Sequence, residues 1–324
     1  MAISKNVNTA SPRVSVFLIL HGKSAQDPRV REAVRSVRAD GHDVEVRVTW
    51  ENGDAGRFAN EAVMKAQQGR VDRIVAGGGD GTVNEVFAAA FRAGSFGHCS
   101  FGILPLGTAN DFARSTGIPI DDMTASLRLT LVAPVCWIDI GVLDDSPFVN
   151  LVTGGFGSQV TAETDPALKH TLGGFAYVLT GLRRARELTA CRGRFTARHF
   201  SWEGSFLALA IGNGRQAGGG IQLCAEALLD DGELDLMILP ELDRNAGLDA
   251  LGRFLHEGAG SVDGLKITAR SPWVTFEAEE DIFINLDGET RSVSRFRVGC
   301  HRGALPIHLG HNLLLGTTNP TDDG

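Results

Sequence analysis

Two patterns of hydrophobic and polar positions follow one another along the chain. In the first, short apolar runs alternate with amphipathic stretches. Residues 14–20 are apolar but for Ser15, which predicts a strand buried on both faces. Asp27 and Pro28 supply a cap and a first-turn proline, so a helix is expected to about Ala39, stopping near Gly41. Val44, Val46 and Val48 alternate as a strand does, and a helical stretch covers about 54–68. Residues 71–76 read as another buried strand with a helix after it to about Arg92. Residues 101–104 read as a further strand and 122–131 as a helix. Strands alternating with helices predict a mostly parallel sheet covered on both faces.

After Val135 the pattern changes. Residues 135–143, 148–153, 206–211, 234–239, 267–269, 273–277, 282–286 and 296–299 all read as strands. Helical spacing stands out only at about 172–188 and 248–256. The expectation is an α/β domain over residues 1–138 and a β-rich domain, a sandwich, over 139–303. A chain of 324 residues is long for one domain, which agrees with two.

Composition narrows the function. Hydrophobic residues make up 43%, enough for well-formed cores. A net charge of −8 argues against a general nucleic-acid binder, and against membrane adhesion through net charge alone. The five cysteines form no CxxC pair and are read as reduced thiols of a cytoplasmic protein. No apolar run approaches the ~20 residues that a membrane-spanning helix needs. The first thirteen residues lack the apolar centre of a signal peptide. Forty glycines are the oddity, and they gather in runs.

The densest run follows the strand at 71–76: Gly77, Gly78, Gly79, Asp80, Gly81, Thr82, Val83, Asn84, Glu85. Glycines between a strand and a helix start let the backbone approach a ligand. The first helical amides have no internal partner and the helix dipole favours an anion, so this is a candidate phosphate site. Thr82 and Glu85 have the spacing of a capping box, which would start the helix there. A second strand–turn–helix junction follows at Leu106, Gly107, Thr108, Ala109, Asn110 and Asp111. Thr108 can cap the helix or meet phosphate oxygens; Asn110 and Asp111 suit local turn chemistry equally well. Both junctions end strands of an open sheet, where ligands bind. His21, Gly22, Lys23 and Ser24 end the first strand and Thr49 the second, facing the same crevice; the glycine spacing of a Walker loop is absent.

The later half offers four candidates. Residues 212–220 hold five glycines, with Arg215 suited to phosphate or a headgroup. Leu228, Leu229, Asp230, Asp231, Gly232 and Glu233 group acids at a turn, as a hard cation would need, though a solvated turn explains them as well. Asn285, Leu286, Asp287, Gly288 and Glu289 end a strand; Asp287 or Glu289 offers a proton acceptor, and Asp-Gly is also a common hairpin turn. Six arginines between 183 and 198, after an apolar stretch, suit an anionic lipid surface or a solvated helix face.

Taken together, these stretches resemble the diacylglycerol-kinase catalytic-domain family of ATP-dependent lipid kinases, in its bacterial branch. The likeness is carried by GGGDGTVNE at 77–85, LPLGTANDFA at 104–113, GNGRQAGGG at 212–220 and NLDGE at 285–289. VTWE at 48–51 and GGFG at 154–157 add to it, and it runs from about residue 14 to 308. GGDGT alone is shared with NAD kinases and phosphofructokinase-like proteins; the other three blocks make the likeness specific.

The resemblance implies a nucleotide-binding α/β domain of the NAD-kinase and diacylglycerol-kinase kind, and a C-terminal β-sandwich domain. The active site would lie between them, with residues 304–318 packing back on the first. It implies ATP contacts at Thr49, at Gly79, Asp80, Gly81, Thr82, Val83, Asn84 and Glu85, and at Thr108. It implies Mg²⁺, with Ca²⁺ as the alternative, at the Leu228 and Glu233 carbonyls and the Asp231 carboxylate. Glu289 would accept a proton, and Asp80 would orient the nucleotide or its Mg²⁺. His21 departs from the family, whose bacterial members usually carry Asn there. The expected activity is transfer of the γ-phosphate of ATP to a lipid hydroxyl, phosphatidylglycerol or a diacylglycerol-like lipid, at a membrane surface met transiently through residues 183–198. The alternatives are an NAD kinase-like enzyme and a non-catalytic lipid or nucleotide sensor.

Overall fold

The computed structural model describes residues 12–94, 97–155, 190–241, 250, 253, 257–286, 289–310 and 314–316. The chain opens with β1 (Ser15–Leu20), α1 (Pro28–Ala39), β2 (Asp43–Val48), α2 (Asp54–Gln67), β3 (Arg73–Gly78) and α3 (Asp80–Arg92). β4 (Ser100–Pro105), α4 (Asp111–Ser115), α5 (Met123–Val132) and β5 (Val135–Leu143) follow. The rest is strands: β6 (Ser146–Phe148), β7 (Leu151–Gly154), β8 (Cys191–Ala197), β9 (Phe200–Gly212), β10 (Gln216–Ala217), β11 (Ile221–Gln222), β12 (Leu234–Pro240), β13 (Ile267–Ser271), β14 (Trp273–Leu286) and β15 (Glu289–His308).

β2, β1, β3 and β4 pair in parallel, in that order. The sequence of β1 explains why both faces are covered. Phe17 and Ile19 point to one side, against Phe58, Ala62 and Val63 of α2 and Val86 and Phe87 of α3. Val16, Leu18 and Leu20 point to the other, against Val30, Ala33 and Val37 of α1 and Leu127 of α5. The Asp27 side chain caps α1 with Pro28 at its first position, as its sequence predicts.

The two halves share one hydrogen-bonded sheet of 13 strands. Its parallel part is limited to those four strands and one contact, Ile307 of β15 against Phe101 of β4. Among the described residues all other pairings are antiparallel, so "mostly parallel" describes the first four strands and not the whole sheet. β7 and β8 lie end to end in one column between β9 and β14, β8 on their first halves and β7 on their last. This part of the sheet is also covered on both sides. Phe195, Phe206, Phe276 and Phe296 form an aromatic core on one face, while Ala208, Ala210, Met237 and Leu239 face Leu223 and Val262 on the other. The Phe195 and Phe276 rings lie 4.9 Å apart and those of Phe276 and Phe296 5.1 Å.

β5 runs unbroken through residue 138, and Ile138 and Ile140 both join the first core. So do Ala304, Leu305, Ile307, Leu309 and Leu314 from the end of the chain. His308, buried, fastens this end: its Nε2 is 2.8 Å from Ser100 Oγ and its Nδ1 2.7 Å from the Ala133 carbonyl. None of the five cysteines is joined in a disulfide.

Several expected elements change shape. The strand expected over 148–153 is broken at Val149 and Asn150 into β6 and β7. Those expected at 273–277 and 282–286 are one strand, β14, with a shifted register between Glu277 and Ile282. β8 was expected as part of a basic run. Its period is two: Gly193, Phe195 and Ala197 are buried while Arg192 and Arg194 are exposed. The helical stretches expected at 172–188 and 248–256 lie wholly or mostly outside the described residues.

Candidate active site

β3 and β4 are neighbours, and each ends in a glycine turn that opens a helix. The turns touch. A Cβ on Gly107 would lie 2.5 Å from the Gly79 Cα, and one on Gly79 would lie 3.1 Å from the Gly107 Cα. Only glycine at Gly107 allows this approach without a shift of backbone.

The expected capping box does not form. α3 starts at Asp80, two residues before Thr82; its N-cap is Gly79, which has no side chain to close the helix end. Glu85 turns instead to α2, where its Oε1 accepts the Gly56 amide at 3.0 Å. The first-turn amides of α3 therefore have no intrahelical or capping acceptor. Val83 is used by the fold: its side chain is buried and its amide bonds the Gly79 carbonyl at 3.0 Å. Asn84 is different, because its Oδ1 is buried without a hydrogen-bond partner among the described residues. Gly81 is exposed, with open space where a Cβ would be.

The second turn is held from within. Asn110, at φ 51° and ψ 44°, accepts the Gly107 amide at 2.8 Å through Oδ1 and donates Nδ2 to the Gly107 carbonyl at 2.9 Å. Asn110, not Thr108, is the N-cap of α4, and Thr108 stands exposed on the turn. The turns are joined by Asp80, whose Oδ1 accepts the Phe112 amide at 3.2 Å.

At the neighbouring strand ends, Thr49 Oγ1 accepts the Gly22 amide at 3.1 Å, which leaves its own O–H to donate. His21 donates its backbone amide to the Gly77 carbonyl at 2.7 Å, and its Nδ1 accepts the Lys23 amide at 3.3 Å. His21 thus closes the short turn at Gly22–Ser24 that meets Thr49. Lys23 is exposed.

The third glycine run is a hairpin between β10 and β11. Gly218, Gly219 and Gly220 all have positive φ, at 65°, 92° and 108°. Successive amides in such a turn form an anion-binding hollow. Here the anion is Asp111: its carboxylate accepts the Gly219 amide at 3.0 Å and the Gly220 amide at 2.7 Å. Gln216 Nε2 adds a bond to the Asp111 carbonyl at 2.8 Å. Burial raises the Asp111 carboxyl above its ordinary pKa, the two amides oppose that, and Asp80 nearby adds to it. Arg215, expected to meet a phosphate, donates its Nε to the Ala227 carbonyl at 2.7 Å.

Glu289 opens β15 opposite Leu286. Leu286 pairs with Val152 of β7, and Val152 with Ile211 of β9. The ends of β14 and β9 therefore sit at one edge, two strand spacings or ~10 Å apart. The same edge gives rise to the loop that holds Asp111. Asp287 and Gly288, and residues 156–157 and 183–186, lie outside the described residues.

The acidic turn is closed by the protein's own donors. Asp231 Oδ2 is paired with the Arg270 guanidinium, and Oδ1 accepts the Glu233 amide at 2.9 Å. Glu233 and Asp235 lie 3.8 and 3.6 Å from Arg270 Nε. Asp139, a buried acid within the apolar strand β5, accepts the Gly232 amide at 2.6 Å and the Gly303 amide at 2.7 Å. Asp230 accepts the Gly316 amide at 2.6 Å. Among the described residues no three His, Cys, Asp or Glu side chains are arranged to hold a metal. With both oxygens of Asp231 engaged, this turn as arranged does not suit a divalent ion.

Asp139, Asn150, Asn213 and Arg270 escape a reading of the sequence. Asn213 Nδ2 holds the Asp139 and Val149 carbonyls at 3.1 and 2.9 Å, and Asn150 Nδ2 the Gln216 carbonyl at 2.7 Å. Only Asp139 gave a signal, an acid inside a strand that should be buried. Of the arginine run, Arg194 and Arg192 share Glu203 at 2.6 and 3.9 Å, and Arg198 donates its backbone amide to Ser271 Oγ at 3.0 Å.

Comparison with known proteins agrees with this layout. Residues 15–141 match the family model of the diacylglycerol kinase catalytic domain. Residues 150–309 match that of the YegS C-terminal NAD kinase beta sandwich-like domain. A Pseudomonas aeruginosa protein named "Probable lipid kinase YegS-like" is 48% identical over 308 residues, 95% of this chain and 98% of that one. One of the same name from Xanthomonas euvesicatoria pv. vesicatoria is 44% identical over 92% of this chain and 97% of its own. A crystal structure of a diacylglycerol kinase from Bacillus anthracis str. Sterne superposes with a TM-score of 0.70 at 23% identity, over 91% of this chain and 96% of its own.

Proposed function

We propose the following chemistry on one premise: the chain belongs to the family of YegS-like lipid kinases that carry a diacylglycerol kinase catalytic domain. It is a lipid kinase. In our reading it moves the γ-phosphate of ATP to a lipid hydroxyl, that of phosphatidylglycerol or a diacylglycerol-like lipid.

The observation that carries this reading is the contact between the two glycine turns, together with the buried Asn84 Oδ1 on the helix that the first turn opens, which has no hydrogen-bond partner among the described residues. Gly79, Asp80, Gly81 and Thr82 present the start of α3 to the phosphates, and Thr108 and Thr49 offer hydroxyls. Asn84 accepts a donor hydrogen bond on its free oxygen. Asp80 keeps the second turn in register through the Phe112 amide and orients the nucleotide. Val83 and Glu85 serve the fold in this reading. When bound, ATP supplies the phosphoryl group, with the divalent ion that accompanies it neutralising charge. No step passes through Leu228, Asp231 and Glu233.

Glu289 accepts the proton of the lipid hydroxyl as that oxygen forms its bond to the γ-phosphorus and the bond to ADP breaks. Positioning and electrostatics supply most of the rate. We divide the chain into a nucleotide lobe over 1–138, joined by 304–318, and a lipid lobe over 139–303. The lipid is met from the cytoplasmic side through residues 183–198. Among the described residues no helix is long and apolar enough to cross a membrane, so contact is peripheral in this reading.

The test is transfer of labelled γ-phosphate to phosphatidylglycerol, diacylglycerol, a sphingoid base or NAD in mixed micelles. We expect a labelled lipid, and a rate lowered by about 10²–10⁴-fold in Glu289→Gln with ATP binding retained. Label in NAD would overturn the lipid acceptor. An undiminished Glu289→Gln rate would remove that residue from the base role.

A further inference from the structure

The acidic turn holds a cation already. Asp231, Glu233 and Asp235 approach a single guanidinium, that of Arg270 on the next strand, β13. The register fixes this meeting, since Arg270 pairs directly with Asp235 across the β12–β13 ladder. Like charges so close share a half-buried site only where a positive charge stands between them or one of them takes up a proton. Asp235 has only 9% of its surface exposed, and its Oδ2 is buried without a hydrogen-bond partner among the described residues. That oxygen lies 3.6 Å from Arg270 Nε, whose positive charge offsets the cost of burying it. Asp139 and Asp230 add negative charge around the turn, but both are satisfied by backbone amides.

We propose that Arg270 is the resident cation of this cluster, a tethered guanidinium in the place where the family pattern offers a divalent ion. The second lobe then needs no metal to hold its acidic turn. The guanidinium supplies charge and directed N–H donors, and, being part of the chain, it cannot be removed by a chelator. This inference does not rest on the kinase reading, because it concerns the stability of the nucleotide-free protein.

The experiment is thermal unfolding of the full chain without nucleotide, in EDTA, in millimolar Mg²⁺ and in millimolar Ca²⁺. The wild-type midpoint should be the same in all three. Arg270→Met should melt several degrees lower in EDTA and recover in Ca²⁺ or Mg²⁺, as an ion enters between the freed carboxylates. Asp231→Asn in the Arg270→Met background should abolish the recovery, which places the ion. If Arg270→Met does not fold, Arg270→Lys serves. Its ammonium cannot span three carboxylates, so it should melt below wild type and gain from Ca²⁺. A wild-type midpoint raised by either ion would overturn the proposal. So would an Arg270→Met or Arg270→Lys protein that melts like wild type and ignores both ions.

Discussion

Two glycine runs in this protein look alike in sequence and end differently in space. Gly77 to Gly81 opens α3 with a cap that has no side chain, and the Asn84 oxygen on that helix has no partner among the described residues. Gly218 to Gly220 makes an equally suitable hollow of amides, and Asp111 fills it. In the first run the cap makes no side-chain bond, and in our proposal its amides meet the nucleotide phosphates. The second is closed by a carboxylate from the other half of the chain, and it joins the two. A glycine run therefore marks a place where backbone approaches something, and only the neighbours say whether that is a ligand or the protein itself.

The sharpest way to break the first half of this comparison is Gly107→Ala. Its methyl would lie 2.5 Å from the Gly79 Cα and 2.9 Å from Asn110 Oδ1, so the turns must move apart. Misplacement of that size costs catalysis about 10²-fold. We expect nucleotide binding to fail by calorimetry while the far-ultraviolet spectrum stays native. Retained affinity would show that the contact between the turns does not matter.

The second half is broken by Asp111→Ala, which leaves the Gly219 and Gly220 amides without their acceptor. The expected loss is on the order of 1–3 kcal/mol in urea unfolding. The pH dependence carries a sign. Because burial raises the Asp111 carboxyl in the fold, the folded state takes up the proton first as pH falls from neutrality. The Asp111 contribution thus improves stability on acidification, down to the ordinary carboxylate range. Asp111→Asn should flatten that part of the stability curve, and an unchanged slope would contradict the assignment.

Asn84 and Asn110 sharpen the contrast within the first site. Asn110→Ala removes both bonds that close the Gly107 turn and should cost about 1–2 kcal/mol of stability. Asn84→Ala removes an oxygen that has no hydrogen-bond partner among the described residues. It should leave the melting midpoint nearly unchanged and raise KM for ATP about tenfold, or 1.4 kcal/mol. The reverse pattern would exchange their roles. The smallest effect is expected at Glu85. Glu85→Gln keeps an acceptor for the Gly56 amide, so it should cost less than about 1 kcal/mol and leave KM for ATP alone. A raised KM would return Glu85 to the nucleotide.

Much of the first lobe was legible because its signals are local. Valine alternation, Asp27 before Pro28, and glycines after apolar runs are read within a few residues, and β1 to α3 lie where those signals put them. The misreadings have separate causes. Thr82 and Glu85 have capping spacing, but α3 starts two residues earlier, at Asp80, and Glu85 accepts the Gly56 amide of α2. The arginines of β8 looked like a basic helical run because charge drew attention from the buried Gly193, Phe195 and Ala197 between them. The meetings of Asp111 with Gly219 and of Asp231 with Arg270 join residues far apart in the chain. Periodicity holds no record of such pairs, because tertiary packing alone selects them.

β15 has a consequence for biosynthesis. It begins at Glu289 and ends at His308, buried against β4 and the end of α5. The ribosome therefore makes β1 to β4 early, but the partner for β4 comes about two hundred residues later. Until then the edge of β4 stays open and the first core lacks Leu305, Ile307 and Leu309. An amino-terminal fragment released at residue 138 would carry that unpaired edge permanently, the feature that makes strands associate between molecules.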